Sequence, residues 1–183
     1  KENRWENTAY TCPAFLSPDR ATHGIIFNHD NRMTTRRIDV AFPVLHGKNG
    51  EDGTMQGFLE IAGIPYVGCG VLASAVCMDK EICHTVLANA GVPQVKWLTF
   101  FCGCDPAGAA EEVGAKLGWP VFVKPANAGS SVGVTKVKKP ADLKAALELA
   151  FKHDHKVVVE EAVKNPIEIE CSVLGNEDPI AAG

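Results

Sequence analysis

A lysine and a glycine-serine loop come directly after a short apolar stretch in the second half of the chain. Residues 121–123 predict a buried strand, Lys124 ends it, and a loop follows in which Ser130 and Ser131 lie between two glycines. A lysine at the end of a buried strand loses hydration and needs an anionic partner, and glycines let backbone N–H groups turn toward the same anion. An ordinary hairpin turn can carry the same serines. The lysine favours a phosphate-binding loop.

A second lysine, Lys80, comes directly after Asp79 at the predicted start of a helix. The positive end of the helix dipole disfavours a cation there unless an anion is near. Taken alone, Lys80 reads as a solvated surface lysine. Together with Lys124 it becomes a second cation for a polyphosphate, since a triphosphate needs several donors beyond backbone amides.

Two groups of carboxylates could bind the rest of a nucleotide. Glu160 and Glu161 follow the apolar residues 157–159, so at least one of them lies at the rim of a surface on which adenine could stack. Glu168 and Glu170 alternate with isoleucines, which predicts both carboxylates on one face of a strand. A ribose diol suits such a carboxylate. A solvated outer face explains the alternation equally well.

His46 ends a predicted buried strand beside a glycine-rich loop, where open α/β sheets place their ligand contacts. A lone histidine more often has a structural role. The position of His46 supports a structural role and a ligand contact equally. The other histidines are predicted to be surface residues: His23, His29, His84, His153 and His155.

The elements that would position these residues alternate between strands and helices. Strands predicted at 38–45 and 64–68 flank a helix at 54–62, which is a βαβ pattern. Helices and strands of an α+β segment follow. The helices are predicted at 71–78, from 80 to about 90, from 106 to about 117 and from 140 to 151, and the strands at 121–123, 134–137, 156–161 and 167–174. Residues 1–37 give only a turn at 17–20.

Composition limits the class of partner. The 183 residues are 46% hydrophobic and 22% charged, as in a globular protein with a substantial core. A net charge of -4 gives no basic surface for nucleic acid, and no apolar stretch is long enough for a bilayer. Seven cysteines without a C-x-x-C pair favour reduced thiols and a cytoplasmic protein.

Eight short motifs can be compared as a set. In chain order they are FPVLHGK (42–48), EDGT (51–54), QG (56–57), IPYVG (64–68), MDK (78–80), VKPAN (123–127), GSSVG (129–133) and VLGN (173–176). Their order and spacing closely resemble the D-alanine:D-alanine ligases, including the relatives that join D-alanine to D-serine or D-lactate in vancomycin resistance. The resemblance runs from about Ser17 to the carboxyl end.

The resemblance implies an ATP-grasp enzyme that uses ATP and Mg²⁺. Such an enzyme phosphorylates the carboxylate of one D-alanine, and the amine of a second D-alanine attacks the acyl phosphate. The implied domains are a partial βαβ amino-terminal domain (1–78), an ATP-grasp nucleotide-binding unit (79–168) and the start of a truncated third domain (169–183). A homodimer is implied for the full-length enzyme.

The resemblance also implies roles for single residues. Lys80 and Lys124 would hold ATP phosphates, and Ser130 and Ser131 would lie in the loop that closes over the reacting centre. His46 would lie near the second D-alanine. Adenine would contact Glu160 and the backbone from Glu161 to Val163, and the ribose would contact Glu168.

The chain departs from the family pattern in several places, and these departures limit the activity that we expect of it alone. The glutamate that binds the first D-alanine is expected before residue 1, and the metal ligands beyond Gly183, so we expect an internal fragment that is inactive alone. Glu161 stands where some members carry a lysine, and Ile167 where many carry an arginine. The alternatives are a D-alanine:D-serine type or other carboxylate-amine ligase, and a non-catalytic nucleotide-binding remnant.

Overall fold

The computed structural model describes residues 11–29 and 31–182. Its first unit is an antiparallel sheet of three strands in the order β1 (Ala14–Leu16), β2 (Gly24–His29) and β3 (Arg32–Arg37). The sequence predicted only a turn here. Strand β3 reads Arg-Met-Thr-Thr-Arg-Arg and is exposed throughout, so it lacks the apolar alternation that indicates a half-buried strand.

Three helices follow, with the bounds that local signals predict: α1 (Thr54–Ala62), α2 (Val71–Met78) and α3 (Lys80–Asn89). Gly63 closes α1 with a φ of 71°, which glycine adopts without steric cost. The Asp79 side chain caps α3 by accepting a hydrogen bond from the backbone N–H of Ile82.

The strands predicted at 38–45 and 64–68 are wrong in length. The two segments meet through one parallel bridge, between Ala41 and Tyr66. Val67 N–H donates to the Ala41 carbonyl at 2.9 Å, and Ala41 N–H donates to the Pro65 carbonyl at 2.8 Å. The predicted parallel relation across α1 is therefore present, but nothing in the described part of the chain covers apolar side chains such as Phe42, which is 73% exposed.

The main sheet has four antiparallel strands in the order β4-β7-β5-β6. Two helices, α4 and α5, contribute to its core. The bounds are β4 (Trp97–Phe101), α4 (Pro106–Lys116), β5 (Val121–Pro125), β6 (Thr135–Val137), α5 (Leu143–Ala150) and β7 (Lys156–Glu161), with a 3-10 turn at Pro140–Asp142 before α5. All were predicted except β4. The core packs valines of β5 and β7 against Val113 of α4 and Leu147 of α5.

The strand predicted at 167–174 is mostly absent. Only Val173–Leu174 (β8) forms a strand, paired with Ile180–Ala181 (β9). Residues 162–172 form no strand, and Ile167 and Ile169 are more than 80% exposed. The predicted alternation of faces around Glu168 and Glu170 is therefore wrong, because no neighbouring strand in the described chain pairs with this segment.

Candidate functional site

Lys124 and Glu160 meet on neighbouring strands of the main sheet. Lys124 lies in β5 and Glu160 in β7, and the Lys124 Nζ is 2.5 Å from Glu160 Oε2. Glu160 is only 8% exposed. A buried carboxylate is tolerated when cations and hydrogen bonds surround it, so this pair fixes the position of the predicted phosphate-binding lysine.

A second partner of Glu160 is His84, in α3. Its Nε2 lies 3.2 Å from Glu160 Oε1, its Nδ1 lies 2.7 Å from Gln94 Oε1, and its ring stacks on Trp97 with centroids 4.8 Å apart. The prediction that His84 is a surface residue is wrong, because its side chain is only 15% exposed. The sequence did hold a signal: His84 follows Lys80 by four residues and so shares its helix face.

Lys80 lies at the start of α3 and reaches the loop that follows β5. Its Nζ donates to the carbonyls of Ala128 at 2.6 Å and Ala126 at 3.3 Å, and its backbone N–H also donates to Ala126. Burial, followed by the positive charge of Lys124, lowers the pKa of Lys80. The two predicted cations are thus close enough to repel each other, and a bound anion would relieve that repulsion.

The glycine-serine loop lies beside the His46 loop. Ser130 and Ser131 are exposed and have left-handed backbone, with φ of 50° and 58°. A Cβ added at Gly129 would lie 3.9 Å from the Gly47 Cα, so the serine loop approaches the residue after His46. His46 itself is exposed. The three side chains predicted for the reacting centre therefore come from two adjacent loops.

An ionic network below the loop connects α3 to the main sheet. The Lys156 Nζ, in β7, binds Asp79 Oδ2 at 2.7 Å and Glu81 Oε2 at 3.1 Å. Asp154 Oδ2 accepts hydrogen bonds from the backbone N–H and the side-chain amide of Asn127 at 2.7 and 2.9 Å. No local sequence pattern predicts this network, because its members lie up to about 77 residues apart.

The network shifts two carboxylate pKa values. Burial raises the pKa of Asp79, but hydrogen bonds from Lys156 and from the Ile82 amide outweigh it and hold that pKa below its ordinary value. Burial likewise raises the pKa of Asp154, and hydrogen bonds from Asn127 reverse the shift. Both carboxylates are therefore stabilised as anions. They line a cleft of about 580 Å³ together with Lys48 and Asp52.

The remaining predicted residues lie outside this cluster of charges. The Glu161 Oε1 accepts a hydrogen bond from the Lys96 backbone N–H at 2.9 Å. Val163 is 53% exposed, and Glu168 is exposed in the segment that forms no strand. Within residues 11–29 and 31–182, no three His, Cys, Asp or Glu side chains are grouped so that they could hold a metal ion.

Comparison with known proteins identifies the family. The family model of the D-ala D-ala ligase N-terminus matches residues 1–69, and that of the C-terminus matches residues 86–183. The chain belongs to the D-alanine:D-alanine ligase family. The resemblance of the eight motifs and the mixed α/β fold class are thereby confirmed.

Members of this family resemble the chain in sequence and in structure. A D-alanine:D-alanine ligase of Acetivibrio thermocellus is 54% identical over 152 residues, which are 81% of this chain and 40% of that protein. The vancomycin B-type resistance protein VanB of Enterococcus faecalis is 47% identical over 179 residues, which are 98% of this chain and 50% of that protein.

Solved structures of the family agree with the fold. The VanG D-Ala:D-Ser ligase from Enterococcus faecalis superposes with a TM-score of 0.85 at 45% identity, over 97% of this chain and 50% of that one. The ligase from Coxiella burnetii gives a TM-score of 0.84 at 35% identity, over 94% and 49%. The chain thus spans about half the length of the ligases that it matches. No helix in the described residues is long and apolar enough to cross a membrane.

Proposed function

We propose that the protein to which this chain belongs is an ATP-dependent ligase that joins two D-alanines through an acyl phosphate. One observation carries the proposal: Lys80, from α3, reaches the loop that follows Lys124 on β5, and its Nζ donates to the Ala128 carbonyl there at 2.6 Å. Two cations brought together in this way fit a polyphosphate. The product would be D-alanyl-D-alanine for peptidoglycan synthesis.

The residues of this chain would divide the work as follows. Lys80 and Lys124 neutralise phosphate charge, which is the main requirement for transferring a phosphoryl group to a carboxylate. Ser130 and Ser131 cover the centre and keep water from the acyl phosphate. His46, from the adjacent loop, lies near the second D-alanine. Mg²⁺, which the family uses, would add charge neutralisation through ligands that we expect beyond Gly183.

The contacts of Glu160 change which groups we expect to bind the nucleoside. Its two carboxylate oxygens already face Lys124 and His84. These contacts favour a role of Glu160 in holding Lys124, and leave adenine to the backbone from Glu161 to Val163. Glu168 remains our candidate for the ribose hydroxyls.

A lysine substitution tests the proposal in the full-length protein. In Lys124→Ala, ADP formation in the presence of D-alanine should fall by about a hundredfold or more, since a phosphate-binding cation is lost. Lys136→Ala is a matched control, because Lys124 and Lys136 both lie over the Phe122 ring, at 5.8 and 5.2 Å, and Lys136 is exposed in β6. Full turnover of Lys124→Ala would refute the assignment.

The second substrate is a separate question. Relatives named as D-alanine:D-alanine ligases and one named as a putative D-alanine:D-lactate ligase are similarly identical to the chain, at 46% and 45% in two cases. We therefore keep a D-alanine:D-serine or D-lactate ligase as the alternative. Mass spectrometry distinguishes these specificities. The products are compared after incubation with D-alanine alone and with D-alanine plus an equal concentration of D-serine or D-lactate. Nucleotide binding without any product would favour a non-catalytic protein.

Three further expectations belong to this proposal. We infer a cytoplasmic homodimer, and a division of the chain into units at 1–78, 79–168 and 169–183. Light scattering of the full-length protein tests the dimer. Limited proteolysis tests the second boundary, which predicts cleavage near residue 168, in an exposed segment, before cleavage within the main sheet.

A further inference from the structure

His84 makes three contacts, and none belongs to a role that the sequence assigned. Its ring stacks on Trp97 with an interplanar angle of 14°, and its two nitrogens face Gln94 and Glu160. The ring is therefore fixed in orientation, and one of its fixed contacts is with the carboxylate that holds Lys124.

The contacts place an acceptor oxygen at each nitrogen of the ring. The Gln94 Nε2 donates to the Pro93 carbonyl at 2.9 Å, which turns Gln94 Oε1 toward His84. Because that oxygen can only accept, the His84 Nδ1 carries a proton. The Nε2 faces a carboxylate oxygen at 3.2 Å, and this contact is attractive only if Nε2 is protonated as well. Both ring nitrogens therefore face acceptor oxygens, and only a ring protonated at both would donate to each.

Glu160 thus lies between Lys124 and His84, one on each oxygen. Lys124 occupies Oε2 and His84 occupies Oε1. If Lys124 turns toward a phosphate, a carboxylate with no other cation would be left buried and unpaired, which is strongly unfavourable. His84 keeps the charge of Glu160 compensated during that exchange.

We propose that His84 is a positioning residue that keeps Glu160 paired, so that Lys124 can be released to a nucleotide phosphate. This inference rests on the proposed nucleotide site. It differs from that proposal because His84 would act on nucleotide affinity only through Glu160, without touching the nucleotide.

The experiment measures binding of a non-hydrolysable ATP analogue with Mg²⁺ to the full-length protein by calorimetry. His84→Phe keeps a ring on Trp97 but removes both donors, and should raise the dissociation constant about ten- to hundredfold, the range for a lost charged hydrogen bond. His84→Lys restores a cation and should recover most of the affinity. His155→Gln is the control, because the His155 side chain is 78% exposed and its ion pair is with Asp154, not with Glu160.

A double-mutant cycle separates positioning from general structure. In Glu160→Gln the buried charge is gone, so adding His84→Phe should change the dissociation constant less than about twofold, which is within ordinary additivity error. A merely structural His84 would weaken binding equally in both backgrounds. The KM for ATP should rise in His84→Phe, while the KM for D-alanine stays unchanged. If His84→Phe does not fold, His84→Gln serves in its place.

Besides equal weakening in both backgrounds, three results would overturn the inference. Wild-type affinity in His84→Phe, or failure of His84→Lys to recover affinity, removes the cationic role while nucleotide binding by the wild type still supports the proposed function. If the wild-type protein binds no adenine nucleotide, the proposed function fails first and the inference fails with it.

Discussion

The main sheet and the amino-terminal helical part differ most in their cores. Among the described residues, the main sheet packs against α4 and α5 around a continuous cluster of twelve buried residues, whereas the cluster below α1 has only Leu59, Ala62 and Ile64 buried. The first core can support itself, and the second depends on partly buried neighbours. The comparison teaches that the site is built outward from the sheet: Lys124 and Glu160 lie on its strands, and α3 is attached to it by charge.

The largest effect should come from breaking that attachment. Lys156→Ala leaves Asp79 and Glu81 without their cation in a mostly buried place, and should lower the free energy of unfolding by about 3–5 kcal/mol. Lys116→Ala is the control, because Lys116 forms an exposed helical pair with Glu112 and should change stability by less than about 0.5 kcal/mol. Urea denaturation measures both, and equal effects would contradict the distinction.

A smaller effect should distinguish the two cores directly. Leu147→Ala opens a cavity among fixed neighbours and should cost about 3–4 kcal/mol, within the range for buried leucines. Leu59→Ala should cost about 2 kcal/mol, since its partly buried neighbours can move into the space. Denaturant unfolding, followed by tryptophan fluorescence, measures both changes in the free energy of unfolding. A larger cost at Leu59 would reverse our ranking of the cores.

The smallest effect concerns acid. The pKa values of Asp79 and Asp154 are lowered in the folded state, so their contribution to stability is fully present above the unfolded value of about 3.9 and is lost as the pH falls through the folded pKa. The free energy of unfolding should therefore drop more steeply below about pH 4 in the wild type than in Asp154→Asn.

Denaturant unfolding between about pH 2.5 and pH 6 checks this slope. Asp142→Asn is the control, because Asp142 is exposed and its only described ion pair, with Lys139, is 3.9 Å long. Parallel acid profiles of the wild type and Asp154→Asn would show that Asp154 does not contribute.

Local signals explain which elements could be predicted from sequence. Gly63 and Asp79 end α1 and begin α3 by their own backbone or side-chain chemistry, so these bounds are readable from a few residues. Strand β4 lacks such signals. The apolar residues 38–45 satisfied a strand pattern, yet a strand also needs a partner along its length, and sequence does not show partners.

The residues of the candidate site also separate into those with a local sequence signal and those without one. Lys80, Lys124 and the serine loop could be proposed from sequence because each carries a local pattern. His84 was missed because its meaning lies in a contact with Glu160, 76 residues further on. Its four-residue spacing from Lys80, which places both residues on one helix face, was the local indication. The contact with Glu160 depends on the pairing of β7 with β5, which sequence does not show.

The strand order has a consequence for synthesis on the ribosome. Strand β7 is the last of its sheet to emerge, yet it lies between β4 and β5, and among the described strands β4 pairs with β7 alone. Until residues 156–161 leave the ribosome, the nascent chain exposes β4 and one edge of β5. A ribosome that stalls before that point therefore holds an aggregation-prone intermediate. Once β7 has emerged, it can pair with both β4 and β5 and complete the sheet.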